Sequence, residues 1–123
     1  MYNQNFNGGR QLKIHRLYTG DDGESHLEPL GLESHPDLTT LQHITGVSFR
    51  EAEAGRFSDW HNAPRRQYVI TLSGEMEIGL GDGTLHKFGP GQGVLAEDLT
   101  GKGHTTRVSG SGARVSVTIP LSD

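Results

Sequence analysis

The sequence predicts an all-β protein, a sandwich or barrel of short strands. Three observations carry this. Apolar and polar residues alternate in several short segments, the period-two pattern of a half-buried strand. Those segments are separated by Gly-rich turns, and 18 of the 123 residues are glycine. No segment sustains a helical period of apolar residues. An apolar fraction of 32% also suits a small β-protein with many tight turns better than a helix bundle.

The elements follow in order. Residues 1–10 are polar and rich in Asn and Gly, and read as a flexible tail ahead of one domain over residues 11–123. Leu12 to Tyr18 is a first strand, with Leu12, Ile14 and Leu17 as its apolar residues. Thr19 to Gly23 is turn chemistry. His26 to Leu38 holds two prolines and several acidic residues and reads as a loop with short extended pieces. Leu41, His43, Thr45, Val47 and Phe49 share one parity and predict a half-buried strand. Gln67 to Leu72 is rich in Tyr, Val, Ile and Thr, and Ser73-Gly74 turns the chain into the alternation of Met76, Ile78 and Leu80. Gly81-Asp82-Gly83 is a hairpin signal leading into Leu85 to Phe88. Gly93 to Ala96, His104 to Val108 and Val115 to Ile119 complete the set. The last is the cleanest alternation, Val115, Val117 and Ile119 against Ser116 and Thr118.

Composition excludes several functions. The formal charge of −4 and the pI near 5.9 argue against nucleic acid as a partner, because phosphate binding needs a basic face. No apolar run is long enough to span a membrane, and the first residues show no apolar leader core, so a cytoplasmic protein is expected. The chain has no cysteine, which removes disulfides and thiol chemistry. Any transition metal must then be held by imidazole, carboxylate or amide oxygen. No Gly-x-Ser-x-Gly elbow is present, and the Gly-rich stretches 79–83 and 89–93 open no helix, so they are hairpin turns rather than phosphate loops. No organic cofactor is expected.

Two spaced motifs remain. Gly55 is followed after five residues by His61, then one residue later by Ala63, after three more by Gln67 and after six more by Gly74. Gly93 is followed after five residues by Leu99, then by Gly101, His104 and Val108 at intervals of one, two and three residues. These stretches resemble the two motifs of the cupin superfamily, in order and joined by a short, turn-rich connection. Ala63 stands where the family has a second His, Gln67 where it has Glu, Leu99 where it has Pro and Val108 where it often has Asn. The resemblance covers Gly55 to Val108 and implies a double-stranded β-helix, the jelly-roll barrel of small RmlC-like cupins.

The resemblance places His61, Gln67 and His104 together, facing one cavity with a small gap at Ala63. It implies a divalent transition metal (zinc, iron, nickel or copper) on two imidazoles and one amide oxygen. Such a set carries no negative charge, so the metal would be held weakly and would favour anionic ligands. The alternative is a metal-free pocket lined by two neutral histidines. Around these residues, Arg65 shares parity with Gln67 and is the expected binder of a substrate carboxylate or phosphate. His43 shares parity with Val47 and Phe49 and is the expected general base. Glu97 and Asp98 read as turn caps. Two functions stay open: an enzyme of isomerase, decarboxylase, lyase or dioxygenase type acting on a small, anionic organic molecule, or a non-catalytic binding protein with an apolar barrel lined by Val, Ile and Phe. The resemblance also implies a homodimer, with Leu12 to Tyr18 the candidate for strand exchange.

Overall fold

Ten strands form two sheets in the computed structural model, which describes residues 12–122. The tail expected over residues 1–10 lies outside the described residues. The strands are β1 (Ile14–Thr19), β2 (Ser25–Leu30), β3 (Ser48–Ala52), β4 (Phe57–His61), β5 (Gln67–Ser73), β6 (Met76–Gly79), β7 (Leu85–Phe88), β8 (Gly93–Ala96), β9 (His104–Val108) and β10 (Arg114–Pro120). One sheet runs β2-β1-β8-β5-β10-β3 and the other β4-β9-β6-β7. All neighbours pair antiparallel except β1 and β8. The two sheets form the double-stranded β-helix.

The glycines of the motifs have steric reasons. Gly93 opens β8 where it presses on β5, and a Cβ there would collide with the Val69 carbonyl. Gly103, one residue before His104, has φ +81° and lies against the His61 carbonyl, so it allows β9 to start beside the end of β4. The hairpin signal at Asp82-Gly83 joins β6 to β7, with Asp82 Oδ1 accepting from the Thr84 amide at 3.0 Å.

Two expected elements change. The segment from Leu41 to Val47 is not a strand; its one bridge is Ile44 to Leu121, and pairing with β10 begins only at Ser48. Its backbone bonds reach only the end of β10, from the Thr45 amide to the Pro120 carbonyl and from the Ser122 amide to the His43 carbonyl, too few to extend a ladder. Of His26 to Leu38, read as a loop with short extended pieces, the first part belongs to a regular six-residue strand, β2. It is an edge strand, where Pro29 removes no required ladder bond. A 3-10 turn at Pro36–Thr39 follows.

The packed core lies between β1, β6, β7 and β8, with Leu17, Ile78 and Phe88 almost fully buried and Met76, Val94 and Ala96 around them. Toward β3 and β4, the edges of the two sheets on the other side, the interior stays open. There β10 turns Arg114, Ser116 and Thr118 inward and Val115, Val117 and Ile119 outward. Polar groups facing an interior are costly unless something satisfies them, so this inversion marks a ligand cavity rather than a core.

Candidate functional site

His61 and His104 are register partners across β4 and β9. Partners directly opposite in an antiparallel pair project to the same face, and the two imidazole centroids lie 4.4 Å apart. A bulge decides which residue of β4 joins His104. Ser58 pairs with Thr106 and His61 with His104, so three steps on β4 match two on β9. Regular pairing would set Trp60 opposite His104. The extra residue turns His61 into the cavity instead, and Trp60 stays outside under Lys102 Nζ, 4.6 Å from its ring centre.

Both imidazoles are fixed from behind. His61 Nδ1 lies 2.6 Å from the Asp59 carbonyl oxygen. A carbonyl can only accept, so the proton sits on Nδ1 and the lone pair on Nε2. His104 Nδ1 donates to Asp98 Oδ2 at 2.6 Å, and that oxygen also accepts from Ser25 Oγ at 2.7 Å. Asp98 is fully buried, and its backbone carbonyl accepts from the Ala63 amide at 3.1 Å. One residue therefore ties the start of β9, β2 and the approach to β5 to the same imidazole. The outcome is two neighbouring Nε2 lone pairs available to the cavity.

The cavity measures about 570 Å³. Leu17, Val69, Met76, Ile78, Val94 and Ala96 form its apolar floor. Its polar wall holds His61, His104, Gln67, Arg65, Arg50 and Arg114, and no carboxylate lines it. Three guanidinium groups without a facing acid, Arg114 buried and Arg50 and Arg65 exposed, give the cavity a positive lining in a chain of net charge −4. The sequence leads one to expect Val, Ile and Phe with a few polar groups; the floor is apolar, and the polar groups of the wall are largely cationic.

The structure brings His61, Gln67 and His104 to one cavity with Ala63 beside them. Arg65 lines it as well and donates from Nη1 to Gln67 Oε1 over a long 3.4 Å. Arg66 is directed away and donates from Nε to Glu97, which also takes Arg16 Nε at 2.6 Å. His43 is not brought to the others. It is exposed, outside the cavity lining, on the irregular stretch ahead of β3, where no sheet turns it inward. Sequence reasoning missed Arg50, Arg114 and the role of Asp98. Asp98 does not cap a turn but holds His104; a carboxylate six residues before a motif His was the available signal. For Arg114 the signal was its parity with Ser116 and Thr118.

No family model matches this chain, and no curated protein matches it. Solved structures do. A sugar phosphate isomerase of the cupin superfamily from Silicibacter pomeroyi is 19% identical over 90% of this chain and 70% of that one, with a TM-score of 0.51. The polyketide cyclase RemF from Streptomyces resistomycificus is 19% identical over 89% of this chain and 72% of that one, with a TM-score of 0.50. The chain has the cupin fold.

Whether this cupin site suits a metal is decided by its donors. The two anchored imidazoles are arranged as metal-binding histidines are, each with its outer nitrogen held by an acceptor. The rest departs. Gln67 Oε1 already accepts from Arg65, and among the described residues no group of three or more His, Asp or Glu converges as a metal site. With three guanidinium groups lining the same cavity, a divalent cation there would be opposed by like charge and held only weakly.

Proposed function

We propose that this cupin binds a small organic anion in its barrel and that His61 and His104 move a proton on it, a reaction of isomerase or lyase type. The observation that carries this is the pair of imidazoles 4.4 Å apart, each with Nδ1 held by an acceptor. Such a pair has two Nε2 lone pairs side by side. One can accept a proton from a substrate carbon or hydroxyl while the other, once protonated, donates to a neighbouring oxygen. Asp98 keeps the His104 ring in place and holds the proton on Nδ1, so that Nε2 is the atom that meets the substrate. Arg65, beside Gln67, stabilises the negative charge that develops on the reacting end of the substrate. The apolar floor positions the carbon skeleton and excludes water.

The test is exchange of substrate C–H for deuterium. Small hydroxy- and keto-acids and sugar phosphates that raise the melting temperature are incubated in D2O with the protein and followed by proton NMR. Exchange or isomerisation is expected with the wild type and should fall by at least 100-fold in His104→Gln. Ligands that stabilise the protein without any chemical change would instead show a non-catalytic binding protein.

The anchored rings also favour a second reading, a divalent metal held weakly by His61 and His104 with Gln67. Titrating zinc or ferrous ion into protein purified without a metal-affinity column separates the two. Stoichiometric binding lost in His61→Ala supports the metal; no binding at submillimolar metal rejects it.

A further inference from the structure

Arg114 is a cation without an anion. It is 9% exposed, and its Nε donates to Thr71 Oγ1 at 2.9 Å. That hydroxyl is its only hydrogen-bond partner among the described residues, and Nη2 is buried with none. Burial first, and then the like charge of its neighbour Arg50, lower its pKa to about 10. Buried guanidinium groups are ordinarily paired with a carboxylate or phosphate. Here both Arg114 and Arg50 line the cavity, with Ser116 between them on the inner face.

Among the described residues no carboxylate lines the cavity to fill the gap. Residues 1–11 contain no Asp or Glu. Glu51 is the register partner of Val115 and so faces out, and Glu75 accepts from Ser109 Oγ at 2.8 Å. A bulge contributes to the geometry. Between Val115 and Ser116 the β10 register skips Leu72 on β5, which brings Thr71 opposite Ser116 and beside the Arg114 guanidinium.

We propose that Arg114, with Arg50, Thr71 and Ser116, is an oxyanion subsite of the barrel that binds the carboxylate or phosphate end of the ligand. Thr71 and Gln67 are four residues apart on β5, roughly 13 Å of strand. The subsite is therefore at the other end of the cavity from the histidines. The ligand is an elongated molecule with an oxyanion at one end and the reacting carbon or oxygen at the other. This inference rests on reading the cavity as a small-molecule site and is independent of proton transfer by the histidines.

The experiment uses inorganic phosphate and malonate as probes, at constant ionic strength with chloride as the control. Thermal shift and calorimetry are run on the full chain, wild type and Arg114→Met, Arg114→Lys and His104→Gln. Wild type should be stabilised by at least one probe, and Arg114→Met should bind it at least 10-fold more weakly. Arg114→Lys should be intermediate, because it keeps the charge and loses the fork. Without probe, Arg114→Met should melt no lower than wild type, since it removes a buried unpaired charge. A purely structural Arg114 would give the opposite. His104→Gln should keep the full probe response even if it abolishes exchange chemistry, which separates failure of one site from failure of the other. The larger response of the two probes tells carboxylate from phosphate. Should Arg114→Met not fold, the Arg114 Nε–H resonance of the wild type must move on probe titration. No probe response above chloride, an unchanged response in Arg114→Met, or loss of the response in His104→Gln overturns the subsite.

Discussion

Removing the Asp98 carboxylate should unseat His104 and weaken the fold together. Asp98 is fully buried, and its Oδ2 accepts from His104 Nδ1 at 2.6 Å and Ser25 Oγ at 2.7 Å. Hydrogen bonds to a charged group contribute about 1.5–3 kcal/mol each, and a donor left buried without a partner costs a comparable amount. Asp98→Ala strands both donors and leaves a small void, so a loss of about 3–5 kcal/mol is expected. For a chain of this size that lowers the melting temperature by roughly 10–20 °C. Asp98→Asn keeps a carbonyl in the place of Oδ2 and loses only charge assistance, so it should cost about 1–2 kcal/mol. Ser25→Ala should cost a similar amount. Calorimetric unfolding of the three variants measures this series, and exchange activity in Asp98→Asn should fall by about 10- to 100-fold. An Asp98→Ala protein within about 1 kcal/mol of wild type would refute the account of a carboxylate holding both donors.

Stability should also fall with acid through His15. Its ring packs edge-on against Phe88 at 5.5 Å with Nδ1 buried and unpartnered, and burial first, then Lys13 and His86, lower its pKa below the ordinary 6.5. Above that value the ring is neutral in both states; below it the unfolded chain takes the proton first, so stability is lost as pH falls from 6.5 through the lower folded value. Melting curves between pH 8 and pH 5 should show this loss, and His15→Phe should flatten it; an unchanged slope would reject the assignment. Self-association is expected through the outer face of the six-stranded sheet. Phe49, 69% exposed, is the register partner of Val117, and Ile70 continues the apolar row. Light scattering should give a dimer and Phe49→Lys a monomer; a monomeric wild type would rule this out.

The motif frame made half of the site legible before any coordinates. Spacing placed His61, Gln67 and His104 with one fold, and parity chose Arg65 over Arg66 for the cavity. Parity failed for His43, because the alternation from Leu41 to Val47 belongs to no strand. It could not announce Asp98 either: the turn between β8 and β9 has no period from which a side-chain direction follows.

By itself the sequence determined the strand-and-turn grammar, the all-β class and the pair of motif histidines, because period, turn residues and spacing are local properties of a chain. Tertiary structure decided what those histidines face. One bulge in β4 selects His61 over Trp60, another at Leu72 sets Thr71 beside Arg114, and the inner face of β10 is its polar one. Each inserted residue shifts the parity of everything beyond it, and only the partner strand shows where the insertion falls.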